Sequence, residues 1–223
     1  MDIQLSYTKA GAGKPLVLLH GNGEDATTLK NQIEYFADQY CVYAINTRGH
    51  GQTPRGTAPF TITQFAQDLH GFLQQHNLEN IRLVGFSDGG NIALVFAARY
   101  AQKVCKLVVC GANLKPSGMR WIALAPCWLQ WLFYVLRGKQ GKQKRELMEL
   151  MLLQPHISAA DLSRIKAPVL VLAGTQDLVA ARHTKKIAAQ ICNSKLMFIK
   201  GGHWLPQAKP SLFNAAVDAF LKN

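Results

Sequence analysis

The chain has 223 residues, 48% of them hydrophobic, and a formal net charge of +12. That length buries one substantial core without disulfide or metal staples, and predicts one globular domain over residues 1–223. Five scattered cysteines (Cys41, Cys105, Cys110, Cys127, Cys192), an odd number with no C-x-x-C pair, argue against a disulfide framework or a zinc site and read as reduced thiols.

The N-terminus, Met1-Asp2-Ile3-Gln4-Leu5, carries an early acid and no apolar h-region, so it does not read as a secretory signal and a cytoplasmic location is expected. Ile3-Gln4-Leu5-Ser6-Tyr7 alternates apolar and polar residues before Gly11-Ala12-Gly13 turns the chain, which predicts an edge strand paired antiparallel with its successor. That successor is the apolar run Pro15 to Leu19. It leads into His20-Gly21-Asn22-Gly23, whose glycines allow a backbone N–H, that of Asn22, to turn inward. The His20 imidazole is read as structural. Residues Ala26 to Asp38 have apolar residues three and four apart and form a packing helix. A strand follows over Cys41 to Ile45, then the loop Arg48-Gly49-His50-Gly51, then a helix over Ile62 to His76.

The next strand, Ile81 to Phe86, runs into Gly85-Phe86-Ser87-Asp88-Gly89, and a helix continues from Gly90 to Ala101. This G-x-S-x-G sits where a strand turns sharply into a helix. Such a turn strains the serine backbone and lifts the hydroxyl clear of the sheet, and the flanking glycines let strand and helix approach. It also places the Asp88 backbone N–H at a helix start, where it can donate to an oxyanion forming beside Ser87. The Asp88 carboxylate is expected only to favour the helix dipole.

The strand Val104 to Cys110 ends in Gly111-Ala112-Asn113, which offers no carboxylate. The segment from about 113 to 163 then breaks the strand–helix alternation and holds three of the four tryptophans, so it reads as a mostly helical insertion. Trp121 to Leu136 is almost wholly apolar, and Pro126 suits the first turn of its helix.

From Gly89 through Arg145 there is no Asp or Glu, while Lys115, Arg120, Arg137, Lys139, Lys142, Lys144 and Arg145 fall there. One surface region should be strongly positive. No zinc-finger or aromatic RNA-binding pattern accompanies it, so no nucleic-acid partner is expected. An apolar helix beside a basic cluster could dock on an anionic bilayer, but a helix covered by the rest of the domain is the reading adopted. No apolar run reaches 18 residues, which predicts a soluble chain.

The strand Pro168 to Ala173 ends at Gly174-Thr175-Gln176-Asp177; a helix covers Ala181 to Ile191; the last strand, Lys195 to Ile199, leads through Lys200-Gly201-Gly202 to His203, and Pro210 to Leu221 closes the chain as a helix. Asp177 and His203 therefore project from the same edge of a parallel sheet as Ser87. A serine hydroxyl needs a positioned base and a third group to fix that base's tautomer, which assigns Ser87 as nucleophile, His203 as general base and Asp177 as its orienting acid.

Together these residues resemble the α/β-hydrolase superfamily, in which a His-Gly loop, an Arg-Gly-His-Gly segment, a nucleophile elbow, a late Asp and a final His occur in this order. The resemblance spans nearly the whole chain. It implies an α/β fold with a mostly parallel sheet of about seven strands flanked by helices, the segment at about 113–163 being a helical cap whose apolar stretch Trp121 to Leu136 walls an acyl pocket. It further implies acyl-enzyme chemistry on an ester or thioester, with the Asn22 and Asp88 amides as oxyanion donors and neither metal nor organic cofactor. Asn46 stands where such proteins often carry Asp, and Thr53 where Ser is usual. Perhydrolases, carbon–carbon hydrolases and lyases share the motif set, and a non-catalytic ligand receptor is the alternative from another class.

Overall fold

The computed structural model describes residues 2–223. Seven strands form one sheet: β1 (Tyr7–Ala10), β2 (Pro15–Leu19), β3 (Cys41–Ile45), β4 (Ile81–Phe86), β5 (Val104–Cys110), β6 (Val169–Gly174) and β7 (Ser194–Ile199). Their spatial order is β1-β3-β2-β4-β5-β6-β7, antiparallel only at β1. Sequence reading placed the first strand at Ile3 to Tyr7 and paired it with its successor. It starts instead at Tyr7 and pairs with β3, Tyr7 opposite Ile45. The reason is lateral: β3 and β4 already occupy the two sides of β2. Ile3 and Leu5 leave the ladder to bury their side chains in the core, and Thr53 Oγ1 accepts the Ser6 amide at 2.9 Å.

The helices are α1 (Lys30–Ala37), α2 (Ile62–Gln75), α3 (Asp88–Arg99), α4 (Trp121–Leu136), α5 (Lys142–Leu153), α6 (Ala159–Leu162), α7 (Ala181–Ala189), α8 (Leu205–Ala208) and α9 (Pro210–Lys222). Strand residues alternate between two apolar layers, as a sheet covered on both faces requires. Val17 and Leu19 face a layer with Phe65 and Phe72 of α2 and Phe96 of α3; Leu16 and Leu18 face one with Phe36 of α1 and Phe213 and Val217 of α9.

Two polar knots fix the loops between these layers. Arg48 is fully buried. Its guanidinium grips Asp68 of α2 through Nε and Nη2, each at 2.7 Å, and Nη2 also donates to Asp2 at 2.7 Å. The two carboxylates hold the guanidinium charged, against a burial cost that acts the other way. Asn46 accepts the Ala26 amide and donates to Ser6 Oγ, and Thr53 Oγ1 donates to the Asn46 carbonyl, so both departures from the usual pattern are hydrogen-bonded structural residues.

The insertion corrects three expectations. Pro126 lies in the interior of α4, not its first turn. Helix α4 is not covered by the domain: Cys127 is its one buried residue, and Trp121, Leu129 and Leu136 are 78%, 72% and 80% exposed. Nor does it wall the pocket beside Ser87. Its inward stripe packs on α5, with Cys127 Sγ at 3.9 Å from Met151 Sδ and the Trp131 indole donating to Glu149, so α5 stands between α4 and the sheet edge. Arg55 holds α5 down through a forked pair with Glu146 at 2.8 and 2.9 Å. Among the described residues no helix is long and apolar enough to cross a membrane.

Candidate active site

Ser87 occupies the turn between β4 and α3 with φ 54° and ψ −120°, a region that non-glycine residues avoid. Its amide donates to the Cys110 carbonyl at 2.8 Å, which anchors the strained turn to the neighbouring strand. The flanking glycines are steric necessities. A Cβ on Gly85 would collide with the Gly89 carbonyl, and one on Gly89 with the Leu19 carbonyl, so β2, β4 and α3 could not come together with any larger residue there.

The three residues assigned by sequence stand in one hydrogen-bonded relay. Ser87 Oγ lies 3.0 Å from His203 Nε2, and His203 Nδ1 lies 2.7 Å from Asp177 Oδ1. A carboxylate only accepts, so Nδ1 carries the proton and donates to Asp177, which leaves the Nε2 lone pair facing the Ser87 hydroxyl. Asp177 is fixed in turn: Oδ1 also accepts the Val179 amide at 2.9 Å and Oδ2 the Gly174 amide at 3.2 Å. The imidazole sits between the rings of Phe86 and Trp204, with centroids 5.1 and 5.4 Å away. Gly111, at φ 64°, passes against its edge, where a Cβ would come within 2.8 Å of Cε1. Sequence reading treated Gly111 only as a place without a carboxylate; its positive-φ conformation at a strand end is the signal it missed.

Asn22 and Asp88 line the same small cavity, of about 140 Å³, as Ser87 and His203. Asp88 opens α3, so its amide is one of the donors a helix start leaves unpaired. The loop that carries Asn22 is braced by two neutral histidines. The Thr47 amide donates to His20 Nε2 at 3.1 Å, so His20 Nδ1 carries the proton and donates to the Gly21 carbonyl at 2.7 Å. The Gly23 amide donates to His50 Nε2 at 3.1 Å in the same way. Burial, with His50 nearby, carries the His20 pKa down to about 4, and burial also lowers that of His50. Asn22 itself donates from Nδ2 to the Leu147 carbonyl of α5 at 2.7 Å.

The Asp88 side chain is not the simple helix-dipole charge expected from sequence. It is buried, Oδ1 accepts from Asn91 Nδ2 at 3.0 Å, and Oδ2 has no partner among the described residues. Burial raises its pKa from 3.8 to about 6, against the lowering effect of the Asn91 hydrogen bond. Below the unfolded value both states are protonated. Between about pH 4 and pH 6 the unfolded chain releases this proton while the folded one keeps it, so stability falls as pH rises through that window. Asp88→Asn removes the effect: the stability difference between variant and parent should grow by about 3 kcal/mol from pH 4 to pH 7 in denaturant melts. A pH-independent difference would show that the carboxyl ionises freely.

The remaining cavity wall is mostly apolar, with Met119, Met151, Leu178, Val179 and Trp204; its polar members are Asn113, whose amide is engaged by Asn91 and the Lys115 carbonyl, and Glu24. Glu24 Oε2 accepts the Gly21 amide at 3.0 Å, and burial raises its pKa. Nothing in the spacing of Glu24 singled it out; it reaches the wall because the turn after β2 folds back on itself.

This fold, with a serine elbow, a histidine after the last strand and an aspartate after the one before, defines a known class. A family model described as alpha/beta hydrolase fold matches residues 14–147, more than half of the chain. The chain belongs to the α/β-hydrolase fold family.

Across 99% of this chain and 94% of its own length, 3-oxoadipate enol-lactonase 2 of Acinetobacter baylyi is 25% identical. An uncharacterized protein of Mycobacterium tuberculosis is 31% identical over 108 residues, which is 48% of this chain but only about a third, 32%, of that relative's length. Among solved structures, the enol-lactonase from Burkholderia xenovorans superposes with a TM-score of 0.83 at 20% identity, covering 99% of this chain and 97% of that one. A thermophilic esterase from Thermogutta terrifontis gives 0.79 at 22% identity, covering 99% and 93%.

Proposed function

We propose that the chain is a serine hydrolase that cleaves a small carboxylic ester through an acyl-enzyme intermediate. The observation that carries this reading is the 3.0 Å approach of His203 Nε2 to the oxygen of a serine held on a strained elbow. Ser87 Oγ attacks the acyl carbon as its proton passes to His203 Nε2, and the resulting imidazolium is stabilised by Asp177. The carbonyl oxygen, now an anion, is held by the backbone amides of Asn22 and Asp88. His203 returns the proton to the departing alcohol. It then takes one from a water that attacks the acyl carbon and gives it to the departing Ser87 oxygen, which frees the acid and restores the hydroxyl and the neutral imidazole.

The cavity bounds the acyl group. About 140 Å³ walled by methionines and aliphatic side chains suits a short apolar acyl chain, and the Glu24 carboxylate on that wall disfavours a second negative charge there. A lactone is an internal ester and follows the same steps. The relative matched over nearly its whole length is named an enol-lactonase, which supports including lactones in the substrate class. A thioester passes through the same intermediate.

A fluorophosphonate probe labels a serine only if it is activated, so it separates an enzyme from a ligand receptor built on the same scaffold. The expected result is stoichiometric labelling of Ser87 and a burst of nitrophenol from nitrophenyl acetate or butyrate. A folded protein that takes no label and releases no nitrophenol overturns the reading.

A further inference from the structure

Helix α4 presents an apolar face that the described residues of the chain leave uncovered. Its sixteen residues contain one amide side chain, Gln130, and no charge. At about 100° per residue, Leu124, Cys127, Trp131 and Tyr134 fall on the side that packs toward α5. Trp121, Leu129, Leu132, Phe133 and Leu136 fall on the opposite half and Trp128 on its flank against Trp131, each about half exposed or more. A contiguous apolar surface of this kind on a folded protein marks a binding face.

The border of this face is uniformly positive. Arg120 precedes the helix, and Arg137, Lys139, Lys142 and Lys144 follow it, all exposed. The nearest acids beyond them are engaged elsewhere, Glu146 by Arg55 and Glu149 by the Trp131 indole. The Arg137 guanidinium lies 5.1 Å from the Phe133 ring centroid, a cation beside an aromatic ring at the edge of the apolar face. Tryptophans with flanking cations suit the boundary between headgroups and acyl chains. At 1.5 Å per residue α4 is about 24 Å long, short of the roughly 30 Å hydrocarbon core, so it can lie in a bilayer surface but not cross it. Two copies of the same basic face repel each other, whereas anionic lipid neutralises the cations that border the apolar strip.

We propose that α4 docks the protein, with its axis in the membrane plane, on an anionic bilayer. The docking does not rest on the hydrolase reading. It does bring the site close to lipid, because Met119 of the cavity wall stands two residues before α4.

The test uses the full chain with vesicles of phosphatidylcholine alone or with about 30% phosphatidylglycerol, followed by cosedimentation and tryptophan emission. Partition onto the anionic vesicles should be about tenfold stronger or more, with blue-shifted emission, and should weaken several-fold at about 0.5 M salt. The double variant Leu129→Glu, Leu136→Glu should lose about tenfold of that binding while its circular dichroism and melting stay as in the parent, and Ser87→Ala should bind as the parent does. The proposal is overturned by an absence of binding at low salt, by equal binding to both vesicle types, or by undiminished binding of the double variant. A dimer that this variant dissociates, in a protein that ignores vesicles, also overturns it.

Discussion

Ser87→Ala should lower kcat on a nitrophenyl ester by about 10⁵-fold or more, with KM little changed, because it removes the atom that on the proposed mechanism bonds to the acyl carbon. The residual rate, some 10³-fold above water, is what the two amides and the cavity supply on their own. The elbow makes a companion variant informative. At φ 54° alanine keeps the backbone strain that serine bears, whereas glycine adopts that conformation freely. Ser87→Gly should therefore be as inactive as Ser87→Ala yet more stable by about 1 kcal/mol. Stability measured alongside rate separates loss of the nucleophile from damage to the fold. An alanine variant that retains a tenth of the parental kcat would remove Ser87 from the mechanism.

The second large effect is expected at Asp177. Three N–H groups converge on this carboxylate, from His203, Val179 and Gly174. Asp177→Asn leaves one oxygen for three donors and turns an NH₂ either toward the Gly174 amide or toward both His203 Nδ1 and the Val179 amide. When that NH₂ faces His203, Nδ1 must accept, the proton moves to Nε2, and the imidazole can no longer take a proton from Ser87. The expected loss is about 10⁴-fold in kcat with KM nearly unchanged, recovered in part at high pH where hydroxide substitutes for the missing base. A loss under tenfold would mean that the imidazole finds its tautomer without this residue. Fluorophosphonate labelling should slow in parallel, since it depends on the same proton transfer.

The central strands were legible because β2 and β3 are continuous apolar runs and β4 is one broken only by Arg82, all bounded by turn residues, and Ser87 because Gly85 and Gly89 bracket it at a strand end. Asp177 and His203 could be chosen from residue type and from order along the chain. Other features depend on neighbours that a linear reading does not supply. The partner of β1 was decided by which side of β2 was already filled. Asp2 and Asp68 showed nothing of their shared hold on Arg48, 46 and 20 residues away along the chain. Asp88 looked like an ordinary first-turn acid, and its burial follows from the closeness of Asn91 and of the loop that carries Asn22. Helix α4 was readable as apolar on every face, but whether protein covers such a helix depends on where α5 lies, and α5 took the place beside the cavity.

The tether from Asn22 Nδ2 to the Leu147 carbonyl makes the insertion a structural partner of the sheet edge that carries Ser87 and His203. Asn22, whose main chain is proposed to hold the reacting oxygen, has its own side chain tied to a segment 125 positions later. On the proposed reading, replacing the segment between β5 and β6 should therefore change turnover as well as selectivity. A graft that keeps a carbonyl at this height would preserve rate, and one that lacks it would trade speed for scope.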